Sequence, residues 1–259
     1  MPSDLGKEQV TYCLGMLLEA GLILMADTRT NAGVDNFSTF RKLHTLADEP
    51  HRQIYAATAG SLSLSQSAIS LLREDQLAAG GEAGHSLGEA QSMFRVAQLV
   101  GEAVERVGAT TGAALAREHI DNSLELLVGG FIGEEPPRLY LIYTIGNFIE
   151  CTSDVPFLQI GETKYGRPIL DRALGYATSL SEAVKIGFLS FDSTMESNLG
   201  VAHPLDLLVL PRDRTRAAIR RRVEKDDDYF RQITTGWGEM LSDAVERLPE
   251  PPWLMAQAL

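Results

Sequence analysis

The chain has 259 residues, 23 Lys+Arg against 35 Asp+Glu for a formal net charge of −12, and 44% hydrophobic residues. That is the composition of a folded globular protein with enough chain for a sizeable core, and no apolar run reaches the roughly 18 residues of a membrane span. The acidic balance repels phosphate surfaces and so argues against broad nucleic-acid or anionic-lipid binding; two cysteines, Cys13 and Cys151, cannot build a disulfide framework or a thiolate zinc cluster.

Thr11–Leu18 and Gly21–Thr28 are apolar runs joined by Glu19-Ala20, a hairpin signal with a glycine at hand. Neither run alternates cleanly, so both strands belong inside the protein with layers packed above and below. Thr30–Thr39 reads as a polar loop, and Phe40–Leu46 and Gln53–Ala59 as a second pair of strands. Ser61–Glu74 carries leucines at helical spacing behind small polar capping residues. Gly80–Gly88, with four glycines in nine residues, reads as a loop. It has no Lys or Arg between Arg73 and Arg95, as a phosphate cradle would need. Ser86–Arg106 has a wide apolar stripe through Leu87, Ala90, Phe94, Ala97 and Val104 and is expected to lie as a helix against a sheet.

Leu124–Ile132 and Arg138–Ile145 are β-rich and flank Gly133-Glu-Glu-Pro-Pro137, another hairpin signal. A loop around Asp154-Val-Pro156 precedes two helical stretches, Tyr165–Ser179 and Ser181–Phe191. Asp206–Leu210 is a late strand, Arg212–Lys225 and Asp228–Arg247 read as helices, and the proline-rich tail reads as extended. Arg212–Lys225 carries seven basic and two acidic side chains; a basic helix on an acidic body suits an acidic surface of another copy. The element order implies an α+β fold, two antiparallel sheets stacked together with helices outside both.

The common nucleophile elbow, zinc-helix and P-loop patterns are absent, and none of the five histidines lies at metal-ligand spacing from another, so neither a metal nor an organic cofactor is expected. The N-terminal third is where residue type, spacing and strand placement agree. Thr11 opens the first strand, Asp27-Thr-Arg-Thr-Asn-Ala-Gly33 closes the second, Phe40-Arg-Lys-Leu-His44 opens the third, and Ala59-Gly60 closes the fourth into a Ser-rich helix. This resembles the proteasome β-subunit pattern of the N-terminal-nucleophile hydrolases. The stretches TYCLGMLLEAGLI, ADTRTNAGVDNFSTFRKLH, PFLQIGETKYGRPILDRALGYA and FDSTMESNLGVAHPLDLLVL are similar to Anbu, the ancestral-β-subunit family of bacterial proteasome relatives.

The resemblance implies a four-layer αββα sandwich over residues 11–259, preceded by a ten-residue extension. It implies a threonine hydrolase that cleaves peptide or amide bonds. Thr11 would be the nucleophile, its α-amine the base, Lys42 the cation beside it, Asp27 the partner of Lys42, and the Gly60 N–H the oxyanion donor. Arg29 would support Asp27, and Asp192 with Ser197 would support the Thr11 amine. Glu162 stands where proteasomes carry a small serine, which would alter amine protonation and substrate choice. A free amine on Thr11 requires that residues 1–10 be removed as a propeptide, or that the natural chain start at Val10 as an initiating codon whose methionine is then clipped. The alternatives on the same fold are a small-amide amidase and a catalytically weak ring-forming scaffold. A large homo-oligomer, ring or open spiral, in the cytoplasm completes the expectation; the resemblance names no natural substrate and no ATPase partner.

Overall fold

A computed structural model describes residues 11–31, 37–77 and 86–255. The expected extension 1–10, most of the Gly80–Gly88 loop and the last four residues of the tail lie outside them. Strands β1 (Tyr12–Leu18) and β2 (Gly21–Asp27) form the first hairpin, with Cys13 opposite Ala26 and Leu18 opposite Gly21. Strand β2 also pairs with β11 (Leu205–Pro211), β1 with β10 (Phe157–Gly161), and β11 with β12 (Ile219–Val223), giving a five-stranded antiparallel sheet ordered β10-β1-β2-β11-β12. The second sheet is a five-stranded meander of β5 (Leu43–Glu49), β6 (Arg52–Gly60), β7 (Leu124–Ile132), β8 (Arg138–Ile142) and β9 (Phe148–Glu150).

The period-2 geometry of a strand explains why the central runs looked continuously apolar. Cys13, Leu22, Leu24 and Ala26 point from the first sheet toward Tyr55, Ala57, Leu127 and Leu139 of the second, while Tyr12, Leu14, Met16, Ile23 and Met25 point the other way into a helical layer. That layer holds α4 (Arg167–Ala173), α5 (Leu180–Ser197) and the start of α6 (Asp228–Glu246). On the far side α1 (Leu62–Leu77) and α2 (Met93–Val107) cover Ile54, Ala56, Leu126 and Val128. The fold is therefore the α+β, four-layer αββα sandwich expected from the sequence, with both sheets covered on both faces.

Several elements depart from the sequence reading. The polar stretch expected as a loop contains a two-stranded ribbon, β3 (Arg29–Asn31) against β4 (Phe37–Thr39). The second helix starts at Met93 rather than Ser86: Ser92 is extended and its hydroxyl accepts from the Arg95 N–H at 3.2 Å, a better start than any residue upstream. Leu87 and Ala90 are buried all the same, because Arg52 donates to their carbonyls at 2.5 and 2.9 Å and pins a non-helical turn against the sheet. After α2 come a single π-helical turn, 108–112, and the short α3 (Ala113–Arg117). Strands β9 and β10 are too short to announce themselves. The stretch Tyr165–Ser179 is helical only over α4, and the tail closes a short turn of helix, α7 (Pro252–Met255), where an extended path was expected.

The basic segment is the largest correction. It is not a helix: residues 212–218 are turns and irregular chain, and Ile219–Val223 is strand β12. Arg222 grips Asp206 of β11 with both ends of its fork, at 2.8 and 2.9 Å, and Arg220 reaches Asp48 and the Tyr55 hydroxyl of the other sheet at 2.8 Å each. These cross-strand partners reward an extended backbone, and a charged strand is a stable way to end a sheet. Among the described residues no helix is long and apolar enough to cross a membrane.

Candidate active site

Asp27, the last residue of β2, has no exposed surface. Its Oδ1 accepts from the Tyr12 N–H at 3.0 Å and from Lys42 Nζ at 2.8 Å; its Oδ2 accepts from the Arg29 N–H at 3.1 Å. Lys42, just ahead of β5 and 5% exposed, donates a second hydrogen bond to the Arg29 carbonyl at 2.6 Å. Every contact on the carboxyl comes from a donor, the environment of an ionised carboxylate. Burial pushes the Asp27 carboxyl above its ordinary range, and Lys42 with the two backbone N–H groups offsets part of that rise. Arg29 thus takes part through its backbone, which places both Asp27 and Lys42.

Thr11 is 5% exposed and stands one residue before the Tyr12 N–H that Asp27 holds. Its carbonyl accepts from the Glu162 N–H at 2.7 Å, just past the end of β10. Gly161, at φ +80°, makes this approach feasible, because a Cβ there would run into the Thr11 carbonyl. Gly60, at φ +95°, ends β6 with its α-carbon packed against the Ser123 carbonyl, another place without room for a side chain. The Thr58 N–H, two residues earlier, donates to the Lys42 carbonyl at 3.1 Å, so Gly60 and Lys42 are carried on neighbouring strand ends.

The Glu162 carboxylate is held by Asn198 Nδ2 at 3.0 Å and by the Lys164 N–H at 3.3 Å. Asn198, just past α5, is a contact the sequence did not disclose. Asp192 and Ser197 lie on α5, and among the described residues their side chains make no hydrogen bond or ion pair; burial and nearby Glu196 push the Asp192 carboxyl up. Also missed was the support under Thr11: the Tyr12 hydroxyl meets Ser190 Oγ at 2.7 Å and accepts from Gln159 Nε2 at 2.7 Å, and its ring lies 4.4 Å from that of Phe191. A signal existed, since Ser190 falls on the same helical face as Ala183, Ile186, Gly187 and Thr194, all buried.

Structural relatives share this frame. A crystal structure described as an Anbu (Gly-1) mutant from Hyphomicrobium sp. strain MC1 superposes with a TM-score of 0.87 at 40% identity, covering 93% of this chain and 99% of that one. Anbu (ancestral beta-subunit) from Yersinia bercovieri gives 0.86 at 41% identity over 93% and 99% of the two chains. The chain belongs to the Anbu family. A helical assembly of the Anbu complex from Pseudomonas aeruginosa matches at 46% identity with a TM-score of 0.86, over 93% and 98%. No protein-family model and no curated sequence matches the chain. The αββα sandwich is thus the proteasome-like fold of Anbu, and the buried Asp27–Lys42 pair sits at strand ends, with Asp27 bonded to the N–H of the residue that follows Thr11.

Proposed function

We propose that the chain is a proteasome-like threonine hydrolase acting on peptide or amide bonds. The observation that carries this is the double use of Asp27 Oδ1, which accepts from Lys42 Nζ and from the N–H of the residue following Thr11. One oxygen fixes an ammonium beside a threonine, where positive charge favours a developing alkoxide. With Thr11 leading the chain, its α-amine, of ordinary pKa about 8, takes the hydroxyl proton. Thr11 Oγ attacks the carbonyl carbon, and the Gly60 N–H stabilises the tetrahedral oxyanion. The amine then delivers its proton to the leaving nitrogen, leaving an ester on Thr11. Water, deprotonated by the same amine, hydrolyses the ester. Cys13 is no rival nucleophile: it is wholly buried, burial raises its thiol well above the ordinary range, and it donates to the Thr58 carbonyl.

The mechanism requires loss of residues 1–10 or a natural start that exposes Thr11. The test is a chain with Thr11 at its terminus, treated with a threonine-directed electrophile and assayed against peptides and small amides. Labelling and hydrolysis that vanish in Thr11→Ala, with the fold retained, support the reading. Hydrolysis persisting in that variant overturns it, and turnover of small amides alone assigns the amidase alternative. Absence of labelling in the chain that begins at Thr11 assigns the scaffold.

The same reading includes a large cytoplasmic homo-oligomer. Helix α6 supports it: beyond Phe230 and Ile233 its side chains are largely exposed, and Leu241 and Val245 on the helix with Leu248 just past its end form an apolar patch, half to two-thirds exposed. Such a patch marks a surface for another protein, and the helical assembly of the Pseudomonas aeruginosa relative makes another copy the natural occupant.

A further inference from the structure

Where β5 passes over β11 and β12, the two sheets leave an open cleft of about 230 Å³. Four arginines line it, Arg41 ahead of β5 and Arg220, Arg221 and Arg222 along β12, against one carboxylate, Asp206. On a chain of net charge −12 that is a local concentration of cations, three of which are paired to Asp206, Asp48 and Asp227. Leu43, Leu207 and Leu208 give the cleft an apolar floor.

The donor capacity is not exhausted by the protein. Arg222 is committed to Asp206 through two nitrogens, at 2.8 and 2.9 Å. Arg220 uses Nη2 for both Asp48 and the Tyr55 hydroxyl, and Arg221 uses Nη2 for Asp227 at 2.6 Å. A guanidinium carries five N–H donors, so Arg220 and Arg221 keep their Nε and Nη1 donors without a protein partner among the described residues. Arg41 is exposed and has no ion pair or hydrogen bond among the described residues. The ion pairs to Asp48, Asp227 and Asp206 therefore hold three guanidinium forks in place, and Arg41 is the lining cation without a charged partner among the described residues.

We propose that this cleft is a binding site for a small polyanion carrying two or more carboxylate or phosphate groups. Pre-anchored guanidinium forks bind planar oxyanions in pairs and lose little freedom in doing so. The volume is below that of a drug-sized pocket and admits a compact tricarboxylate or a diphosphate rather than a nucleotide. A ligand there ties β5 of one sheet to β12 of the other, next to Lys42 in sequence, without touching Thr11. The site stands whether or not Thr11 is catalytic.

The test is calorimetric titration of the full chain with citrate and with pyrophosphate at constant ionic strength, with chloride as control. One saturable site per chain is expected, with a rise in unfolding temperature, and the tighter of the two anions names the chemistry. Arg41→Ala, which breaks no intramolecular contact among the described residues, weakens binding about tenfold, and Arg41→Lys recovers part of it. Equal affinity in Arg41→Ala, or no saturation by either anion at millimolar concentration, overturns the proposal. Dissociation of an oligomer by the anion without stoichiometric binding also overturns it, since the arginines would then belong to a contact between copies.

Discussion

Replacing Lys42 by methionine keeps the length and apolar stem of the side chain and removes its charge, so Asp27 remains at zero exposure with two backbone N–H donors and no cation. Breaking a buried pair from one side costs about 3–5 kcal/mol, because the orphaned charge has lost water and gained nothing. The carboxyl can escape that cost by taking a proton. Carrying it costs about 1.4 kcal/mol per pH unit above the ordinary aspartate value near 3.9, thus about 1.5 kcal/mol at pH 5 and more than about 5 kcal/mol at pH 8. Protonation is the cheaper route at pH 5 and no relief at pH 8. Loss of Lys42 raises the folded-state pKa of Asp27 further above its unfolded value. Stability tied to such a group is present at low pH and lost as pH rises through the folded value. Urea unfolding of Lys42→Met at fixed protein concentration should therefore show a deficit of about 3–5 kcal/mol at pH 8 that shrinks to about 2 kcal/mol or less at pH 5. A deficit below about 1 kcal/mol at pH 8, or one that grows toward acid, would refute the claim that Asp27 is held as a buried carboxylate by Lys42.

Two more outcomes follow from named contacts. Glu162→Gln removes a carboxylate from the residue whose N–H holds the Thr11 carbonyl, so the protonated Thr11 amine loses a favourable charge and the acidic limb of the pH–rate profile, where that amine becomes a free base, should move about half a unit toward acid; an unmoved limb separates Glu162 from the amine. Val245→Glu on α6 places a charge on the exposed apolar patch and should shift sedimentation to smaller species with the unfolding midpoint within about 0.5 kcal/mol of the parent; an unchanged assembly would put the contact elsewhere.

Relatives with the same fold do not decide between these outcomes, since function rests on the site rather than on the architecture. The site also holds a second carboxylate, that of Glu162, fixed by Asn198 and Lys164, and the Glu162 N–H bonds the Thr11 carbonyl. The exposed α6 patch and the arginine cleft lie on other parts of the surface, so assembly, anion binding and hydrolysis can be tested by substitutions that do not overlap.

The resemblance to the proteasome pattern supplied the grouping of Thr11, Asp27 and Lys42, and the sequence alone determined the hairpins and the doubly covered strands. Those features rest on local periodicity and on turn residues between strands adjacent in the chain. It did not determine β12: the arginines of this basic segment suit a helix face as well as a sheet edge, and only Asp206, Asp48 and Tyr55, brought in from other strands, made the extended form the better paired one. Asn198 reaches Glu162 across 36 positions of chain and Ser190 reaches Tyr12 across 178, distances over which residue type carries no register. Such contacts exist only once two sheets and a helix have packed, because the hydrophobic burial that sets the layers is non-directional and leaves the choice of polar partner to the final geometry.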